Sequence, residues 1–210
     1  MSTDITVIIV GLGQWDTFTK RAIDSIRYHE QDLRIVVMDI GGSYPAKYDG
    51  AEIVVLRDSP SYAYAINCGV EYAKESDWYL ILNNDVFLKD RITPIIELCD
   101  PNKIYGRQII TENGHVWLGL WLALISRKTF ETVGAFDENY LVCGFEDADY
   151  CIRAKMLGID TEHVPLPFHH YWGKTRWGIP SYPTIREANI DYFESKWGWR
   201  AGCNLRVIHD

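Results

Sequence analysis

The chain has 210 residues, of which 47% are hydrophobic and 24% are charged, and its formal net charge is −8. This composition is that of a folded domain able to bury a core, and we expect residues 1–210 to form a single domain. The acidic balance argues against non-specific binding to nucleic acid, so an anionic ligand would need a divalent cation, a few basic side chains or backbone N–H groups at a turn.

The cysteines and the N-terminus indicate where such a chain would reside. The five cysteines are odd in number, form no Cys-x-x-Cys pair and stand among apolar neighbours, which is typical of buried free thiols in a reducing compartment. An acidic residue precedes the first short apolar run, and no apolar segment approaches the roughly 20 residues of a membrane span. We therefore expect a cytoplasmic protein with no transmembrane segment, for which a peripheral position at a membrane stays open.

The first ninety residues alternate between predicted strands and helices. The helices are predicted by apolar residues at helical spacing, the first capped by Asp16 or Thr17 and continuing to Tyr28, the second running over Tyr62–Lys74. This alternation favours an α/β fold with a mostly parallel central sheet and helices on both faces, in which ligands collect at the carboxyl ends of the strands. The predicted strands are Ile5–Val10, Leu33–Met38, Ile53–Leu56 and Trp78–Leu82.

Glycine and polar residues stand where three of these strands end. Asp39 is placed to accept hydrogen bonds from a base or ribose, although many strand-end Asp residues only cap the next turn. Oxygen ligands after the fourth strand suit a hard divalent ion that bridges the protein and a diphosphate, with an ordinary turn as the alternative. The residues at these ends are Val10, Gly11 and Leu12, then Asp39, then Asn83, Asn84 and Asp85.

The second half carries further acids at the start of a predicted helix, Asp147–Leu157. Glu146 and Asp147 are explained either as acids favoured by the helix dipole or as a carboxylate that reaches an acceptor hydroxyl. Before them come an apolar stretch, Val116–Ser126, and a predicted helix that begins near Thr129.

A strand-like segment, Thr161–Phe168, leads into two histidines and a basic, aromatic segment. His169 and His170 are either metal ligands, groups that contact a diphosphate, or surface residues. Lys174 and Arg176, among glycines and tryptophans, have the composition of a lid over an anionic leaving group.

Several other site classes are not supported by the sequence. The Gly-Leu-Gly turn that begins at Gly11 lacks the third glycine of a dinucleotide fingerprint, because position 16 is Asp. There is also no phosphate loop, no Gly-x-Ser-x-Gly elbow and no zinc-binding spacing.

In their order and spacing, these segments resemble glycosyltransferase family 2, whose members share the GT-A fold. The similarity runs from Ile5 to about Gly198, and Lys196-Trp197-Gly198 resembles a segment of rhamnosyltransferase-like members. The matching segments are Ile5–Gly13 with the opening strand and turn, Met38–Ser43 with Val-Asp-Asn-Gly-Ser, Asn67–Gly69 with Asn-x-Gly, Asn83–Asp85 with Asp-x-Asp, Gly134–Glu138 with Gly-Gly-Phe-Asp-Glu, Glu146–Asp149 with Glu-Asp-x-Asp, and His170, Gly173 and Thr175 with His-x-x-Gly-x-Ser/Thr.

The resemblance implies a metal-dependent, inverting transfer of a sugar from a UDP-, dTDP- or GDP-linked donor to a saccharide or other hydroxyl acceptor. It implies that residues 1–90 bind the nucleotide, and that residues 91–210 bind the acceptor and supply a lid and a C-terminal helix. The implied base is Asp147, with Glu146 as the alternate. The implied ligands of Mn²⁺ or Mg²⁺ are Asp85, His170 and Asn83. The implied donor-binding residues are Val10, Gly11, Leu12, Asp39, Asn67, Asn84, Lys174 and Arg176. With a sugar as the transferred group, three aromatic residues are candidate stacking platforms, with core packing as the alternative for each: Tyr140, Trp172 and Trp177.

The chain departs from the family pattern at two positions. Asn83 replaces the first acid of Asp-x-Asp, so metal affinity would be modest until the donor contributes oxygens. Gly11 stands where relatives often carry a hydroxyl group. Two other functions are considered: a nucleotidyltransferase that makes nucleotide sugars, which the lack of Lys or Arg between Gly11 and Asp16 argues against, and an inactive module that binds a nucleotide sugar.

Overall fold

The computed structural model describes residues 3–59, 61–111, 116–163, 166–171, 179–200 and 205–207. Its strands are β1 (Ile5–Gly11), β2 (Arg34–Ile40), β3 (Glu52–Leu56), β4 (Trp78–Asn83), β5 (Val86–Leu88), β6 (Lys103–Thr111), β7 (Val116–Ser126), β8 (Asp160–His163), β9 (Phe168–His170) and β10 (Leu205–Val207). Its α-helices are α1 (Lys20–His29), α2 (Tyr62–Tyr72), α3 (Thr93–Ile96), α4 (Arg127–Val133), α5 (Glu146–Met156) and α6 (Tyr182–Trp197).

One large sheet organises the chain, with strands in the order β10-β6-β7-β4-β1-β2-β3 and with β8 beside β6. The four strands of the first half pair in parallel, as the alternation of strands and helices predicts. The second half joins this sheet through β7, which pairs antiparallel with both β4 and β6. Only four residues separate β6 from β7 along the chain, and so short a connection suits antiparallel neighbours.

The sheet is covered on both faces, so its central strands are buried continuously. Every residue of β1 is buried, and neighbouring residues alternate between two apolar clusters on opposite faces. Residues of α2, α5 and α6 pack in one cluster, and residues of α1 pack in the other. Within the described ranges, no helix has the length and apolar character that crossing a bilayer requires.

The first helix begins differently from the prediction. A π-helical turn, Trp15–Thr19, precedes α1, and neither Asp16 nor Thr17 caps it with a side chain. The predicted cap is therefore wrong, because the turn starts at Gln14, whose φ of 56° sets the chain direction two residues earlier. Phe18, Ala22 and Ile26 are buried as predicted, since the helical phase of the apolar residues is preserved.

Candidate active site

The strand ends that the sequence singles out meet at one edge of the sheet. In the strand register, Gly11 lies opposite Asp39, and Val10 lies opposite Asn83. Leu12 follows directly and its side chain lies beside Gly41. The prediction that the ends of β1, β2 and β4 form a common edge is therefore confirmed.

A pair of short strands brings His170 against Asp85. β5 follows Asp85 almost directly and pairs antiparallel with β9, so that Val86 lies opposite His170. The Tyr171 N–H donates to the Asp85 carbonyl at 3.1 Å and extends this pairing. The result is a distance of 3.2 Å between His170 Nε2 and Asp85 Oδ1. The neighbouring His169 is exposed instead, so only the second histidine faces the carboxylate.

The pair of Asp85 and His170 has donor atoms that suit a divalent cation. Asp85 is 1% exposed and His170 is 9% exposed. Oδ1 of Asp85 accepts no well-formed hydrogen bond from the described residues, which leaves a buried carboxylate oxygen available as a ligand. The described part of the chain contains no group of three or more His, Cys, Asp or Glu residues with metal-binding geometry. A cation at this pair would need further oxygen ligands from elsewhere, as Mg²⁺ often takes from substrate phosphates.

The acids at the start of α5 differ in their surroundings. Gly144 and Phe145 have φ values of 111° and 75°, a left-handed turn that aims the first residues of the helix. Glu146 is buried and its carboxylate accepts a hydrogen bond from the Gly144 N–H. Asp147 is only half-buried and accepts the Ala148 N–H at 2.8 Å. Asp147 is therefore the more accessible of these two acids.

Asp149, the third acid of α5, is buried and joins α5 to α6. It is 0% exposed and binds two cations, Arg153 at 2.9 Å and Lys196 at 2.6 Å. The indole N–H of Trp197 donates to the same carboxylate at 3.0 Å. These contacts hold α6 against α5.

Asp137 shares the ammonium group of Lys196. Burial alone would raise the pKa of Asp137, but hydrogen bonds from Lys196, from the Asn139 backbone and from Tyr192 outweigh it and hold this pKa well below its ordinary value. Asp137 therefore remains ionised and joins the loop before α5 to α6.

Tyr62, at the start of α2, connects the Asp85 pair with the loop before α5. Burial raises the pKa of Tyr62 well above its ordinary value, and the charges of Glu146, Asp85 and Asp147 add to this effect. The Tyr62 backbone N–H donates to the Val142 carbonyl at 2.6 Å, in the loop before α5. The Tyr62 hydroxyl, which stays protonated, donates to the Leu120 carbonyl at 3.3 Å.

Asp39 caps a turn, as the alternative to its nucleobase role describes. Its two carboxylate oxygens accept the backbone N–H groups of Ser43 and Tyr44, at 3.3 and 2.9 Å, and the residue is 0% exposed. A base could reach this carboxylate only if the turn opened.

Asn84 belongs to a network around the buried Tyr44 hydroxyl. The Asn84 amide donates to Thr19 at 3.0 Å and to the Tyr44 oxygen at 3.4 Å, and the Tyr44 hydroxyl donates to the Gly13 carbonyl at 2.6 Å. Burial raises the pKa of Tyr44 to about 12, so this hydroxyl remains a donor. The same oxygen lies against Gly11, where an added Cβ would overlap it. Asn84 and Tyr44 thus hold together the turns after β1, β2 and β4.

Two other predicted site residues are occupied by internal contacts. The Asn67 side chain bonds the backbone N–H and carbonyl of Phe136, both at 2.9 Å, and also Glu138 at 2.7 Å, which fixes α2 to the loop after α4. The interpretation of Tyr140 as a sugar platform is wrong, because its ring is 0% exposed and packs edge-on against Tyr192. Four predicted residues lie outside the described part of the chain: Trp172, Lys174, Arg176 and Trp177.

Sequence reasoning missed three aromatic residues at this edge. Tyr44 and Tyr62 carry no motif, and Trp121 is hidden in the apolar run of β7. The one available signal was Gly119, a glycine inside a strand, which often marks close packing by a neighbour. The Trp121 ring stacks on His170 with ring centroids 4.2 Å apart.

A continuous series of contacts joins Asp85 to the loop before α5. Asp85 contacts His170, His170 stacks on Trp121, and the neighbouring Leu120 carbonyl accepts the Tyr62 hydroxyl. Tyr62 in turn contacts the loop before α5, through the Val142 carbonyl. We call this set of residues the candidate active site.

No protein-family model and no curated protein sequence matches the chain. Solved structures do match. A crystal structure of GalNAc-T7 with UDP, GalNAc and Mn²⁺ aligns with a TM-score of 0.65 and 13% identity, over 80% of this chain and 44% of that one. The catalytic domain of Drosophila β1,4-galactosyltransferase 7, in complex with xylobiose, aligns with a TM-score of 0.56 and 14% identity, over 84% of this chain and 73% of that one.

The chain thus spans less than half the length of the GalNAc-T7 chain that it resembles. Identities this low bear on architecture alone. They agree with the observed sheet, in which a parallel half continues into an antiparallel half. The chain has the GT-A fold.

Proposed function

We propose that this chain is a metal-dependent glycosyltransferase that moves a sugar from a nucleoside diphosphate donor to an acceptor hydroxyl, with inversion. The observation that carries the proposal is the contact of Asp85 with His170 at the carboxyl end of β4. The order of motifs that resembles family 2 supports it, as does the similarity in fold to a protein crystallised with UDP, GalNAc and Mn²⁺.

The chemistry needs a base but no covalent nucleophile. Asp147 takes the proton of the acceptor hydroxyl while its oxygen attacks the anomeric carbon, and the bond from that carbon to the diphosphate breaks with its electron pair on the leaving group. Asp147 suits this role because it is half-buried, whereas Glu146 is turned back to the Gly144 N–H. Glu146 remains the alternate base.

The donor diphosphate would lie at the Asp85 pair, with the nucleotide along the edge formed by Val10, Gly11 and Leu12. Asp85 and His170 would hold Mn²⁺ or Mg²⁺, with the amide oxygen of Asn83 as a further candidate ligand; a bound ion supplies Lewis acidity and neutralises the leaving phosphates. In this proposal Asp39 and Asn84 shape the donor site by holding its turns, and Asn67 supports it by fixing α2 to the loop after α4. The basic pair Lys174 and Arg176 would add positive charge over the phosphates, with Trp172 and Trp177 near the sugar.

A donor hydrolysis panel tests the proposed function. The purified chain is incubated with UDP-, dTDP- and GDP-linked sugars, with Mn²⁺, with Mg²⁺ or with excess chelator, and the released phosphates are separated. We expect slow, metal-dependent release of one nucleoside diphosphate, which also identifies the nucleotide. Formation of a nucleotide sugar from a sugar phosphate and a nucleoside triphosphate, with release of pyrophosphate, would indicate the nucleotidyltransferase instead. Donor binding without turnover, with a range of acceptors present, would indicate the inactive module.

A further inference from the structure

Trp121 covers one face of the His170 imidazole ring. The two rings are nearly parallel, at an interplanar angle of 19°, with centroids 4.2 Å apart. At the edge of the same imidazole, Nε2 lies 3.2 Å from Asp85 Oδ1. The histidine ring therefore has an aromatic surface on its face and the carboxylate at its edge.

A bulge in β7 directs Trp121 toward this ring. In the register with β6, Gly106 lies opposite Ala123 whereas the next residue, Arg107, lies opposite Gly119. Residues 120–122 are therefore extra on the β7 side, and an odd number of extra residues reverses which side chains face which side of the sheet.

The packing of the leucines in β7 records this reversal. Leu118 and Leu120 belong to the cluster that contains α2 and α5, whereas Leu122 and Leu124 belong to the cluster that contains α1. Trp121 lies at the point where the alternation changes and packs against the second cluster. A regular strand would not change phase here, so the bulge determines where the indole lies.

Gly119 provides the space that the indole occupies. A Cβ atom at this position would lie 2.8 Å from Trp121 Nε1 and 3.0 Å from its Cδ1, closer than real contacts allow. The same Cβ would lie 2.7 Å from Ile109 Cδ1, so a side chain at position 119 would have to displace the indole and the Ile109 side chain together.

We propose that Trp121 is a positioning residue that fixes the plane of the His170 imidazole, so that His170 Nε2 and Asp85 Oδ1 can bind the same cation. The physical reason is that rotation of a histidine ring about its last side-chain torsion is only weakly restricted, while a metal ligand must point its lone pair at the ion. A stacked indole adds such a restriction here, because it confines the imidazole to planes parallel to its own ring. The inference rests on the proposed function, because it assigns the cation to this pair.

The test measures Mn²⁺ binding, read from the electron paramagnetic resonance signal of free Mn²⁺, alone and with UDP, dTDP or GDP. We expect Trp121→Leu to weaken Mn²⁺ binding about 10-fold, in the range found for outer partners of metal ligands. Trp121→Phe keeps an aromatic face and should restore affinity to within about 3-fold of the native chain. Gly119→Ala should weaken binding in the same direction as Trp121→Leu.

Trp117→Leu is the matched control, since it removes a buried indole from the same strand but from the opposite cluster. It should lower stability and leave Mn²⁺ affinity unchanged. Mn²⁺ should also quench tryptophan fluorescence in the native chain, and Trp121→Phe should lose the share of this quenching that comes from Trp121 while still binding the ion, whereas Trp117→Phe should keep it. This second measurement needs no destabilised variant.

The outcomes separate the two proposals. If the native chain binds no Mn²⁺ under any of these conditions, the metal-dependent function fails. If it binds Mn²⁺ and Trp121→Leu binds it equally well, or if Trp117→Leu weakens binding as much, the positioning role of Trp121 is wrong while the proposed function stands.

Discussion

Two acids of α5, separated by one residue, should respond in opposite ways to the same substitution. Asp147→Asn and Asp149→Asn each remove one negative charge and keep the shape of the side chain. Asp147 is half-buried and is the proposed base, whereas Asp149 is 0% exposed and binds Arg153 and Lys196. We expect the first change to abolish turnover and the second to destabilise the fold.

The magnitude of the second effect follows from the contacts of Asp149. Removing one partner of a buried ion pair costs about 3–5 kcal/mol. Here Lys196 keeps its contact with Asp137, and Arg153 keeps hydrogen bonds to the carbonyls of Val133 and Ala135. These remaining partners lead us to expect a loss of about 2–3 kcal/mol. Asp147→Asn weakens a helix-dipole interaction, worth about 0.3–1 kcal/mol.

Urea unfolding and nucleoside diphosphate release are measured on both variants. Asp149→Asn should lower the urea midpoint by about 1 M at an unchanged m value, yet retain turnover under conditions where it is folded. Asp147→Asn should unfold nearly as the native chain does, with turnover reduced by about 100-fold or more and with donor binding largely retained. Asp160→Asn, at an exposed acid of β8, is the control for both assays. The reasoning is refuted if Asp149→Asn unfolds like the native chain or if Asp147→Asn turns over normally.

Three further outcomes are expected. His170→Ala should abolish binding of Mn²⁺ with the nucleoside diphosphate, while His169→Ala, at the exposed neighbour, should leave it unchanged; equal losses in calorimetric titrations would contradict the assignment. Asp137 has a depressed pKa in the folded chain, so its stabilising contribution is complete above the unfolded pKa near 4 and decreases as the pH falls from there toward the folded pKa. In urea unfolding between pH 6 and 3, the free energy of unfolding should therefore decline less steeply for Asp137→Asn than for the native chain. Gly11→Ala should lower the free energy of unfolding by about 2 kcal/mol, because its Cβ overlaps the Tyr44 hydroxyl. In thermal unfolding, Tyr44→Phe added to Gly11→Ala should recover part of that loss, and additive effects of the two changes would argue against the overlap.

The sequence identifies the parallel half of the sheet because that half is encoded locally. Each strand from β1 to β4 is a short apolar run, and the carboxyl ends of parallel strands must share one edge. The positions of Gly11, Asp39 and Asn83 relative to one another follow from these two facts and are confirmed by the register. The order of acids and histidines in the second half was equally visible, and it suggested the fold that the solved structures share.

The surroundings of each polar residue could not be predicted from the sequence. The segment Glu146–Asp149 reads as three similar acids, and only the packing of α6 on α5 separates the buried Asp149 from the accessible Asp147. In the same way, Tyr140 carries no local sign that Tyr192 covers it. The burial of a residue depends on side chains from distant parts of the chain that pack against it, and a local sequence pattern does not specify them.

The local sequence pattern predicts the strands of the parallel half and the edge of the sheet at which their polar residues lie. Tertiary structure alone decided that His170, and not His169, meets Asp85, because pairing of β5 with β9 joins segments that lie far apart along the chain. It also decided that Trp121 covers the histidine, because a bulge of three residues changes the face on which that side chain emerges. Strand pairing and register depend on contacts between distant parts of the chain, because they are set by the burial of whole apolar faces and not by the residues at the site.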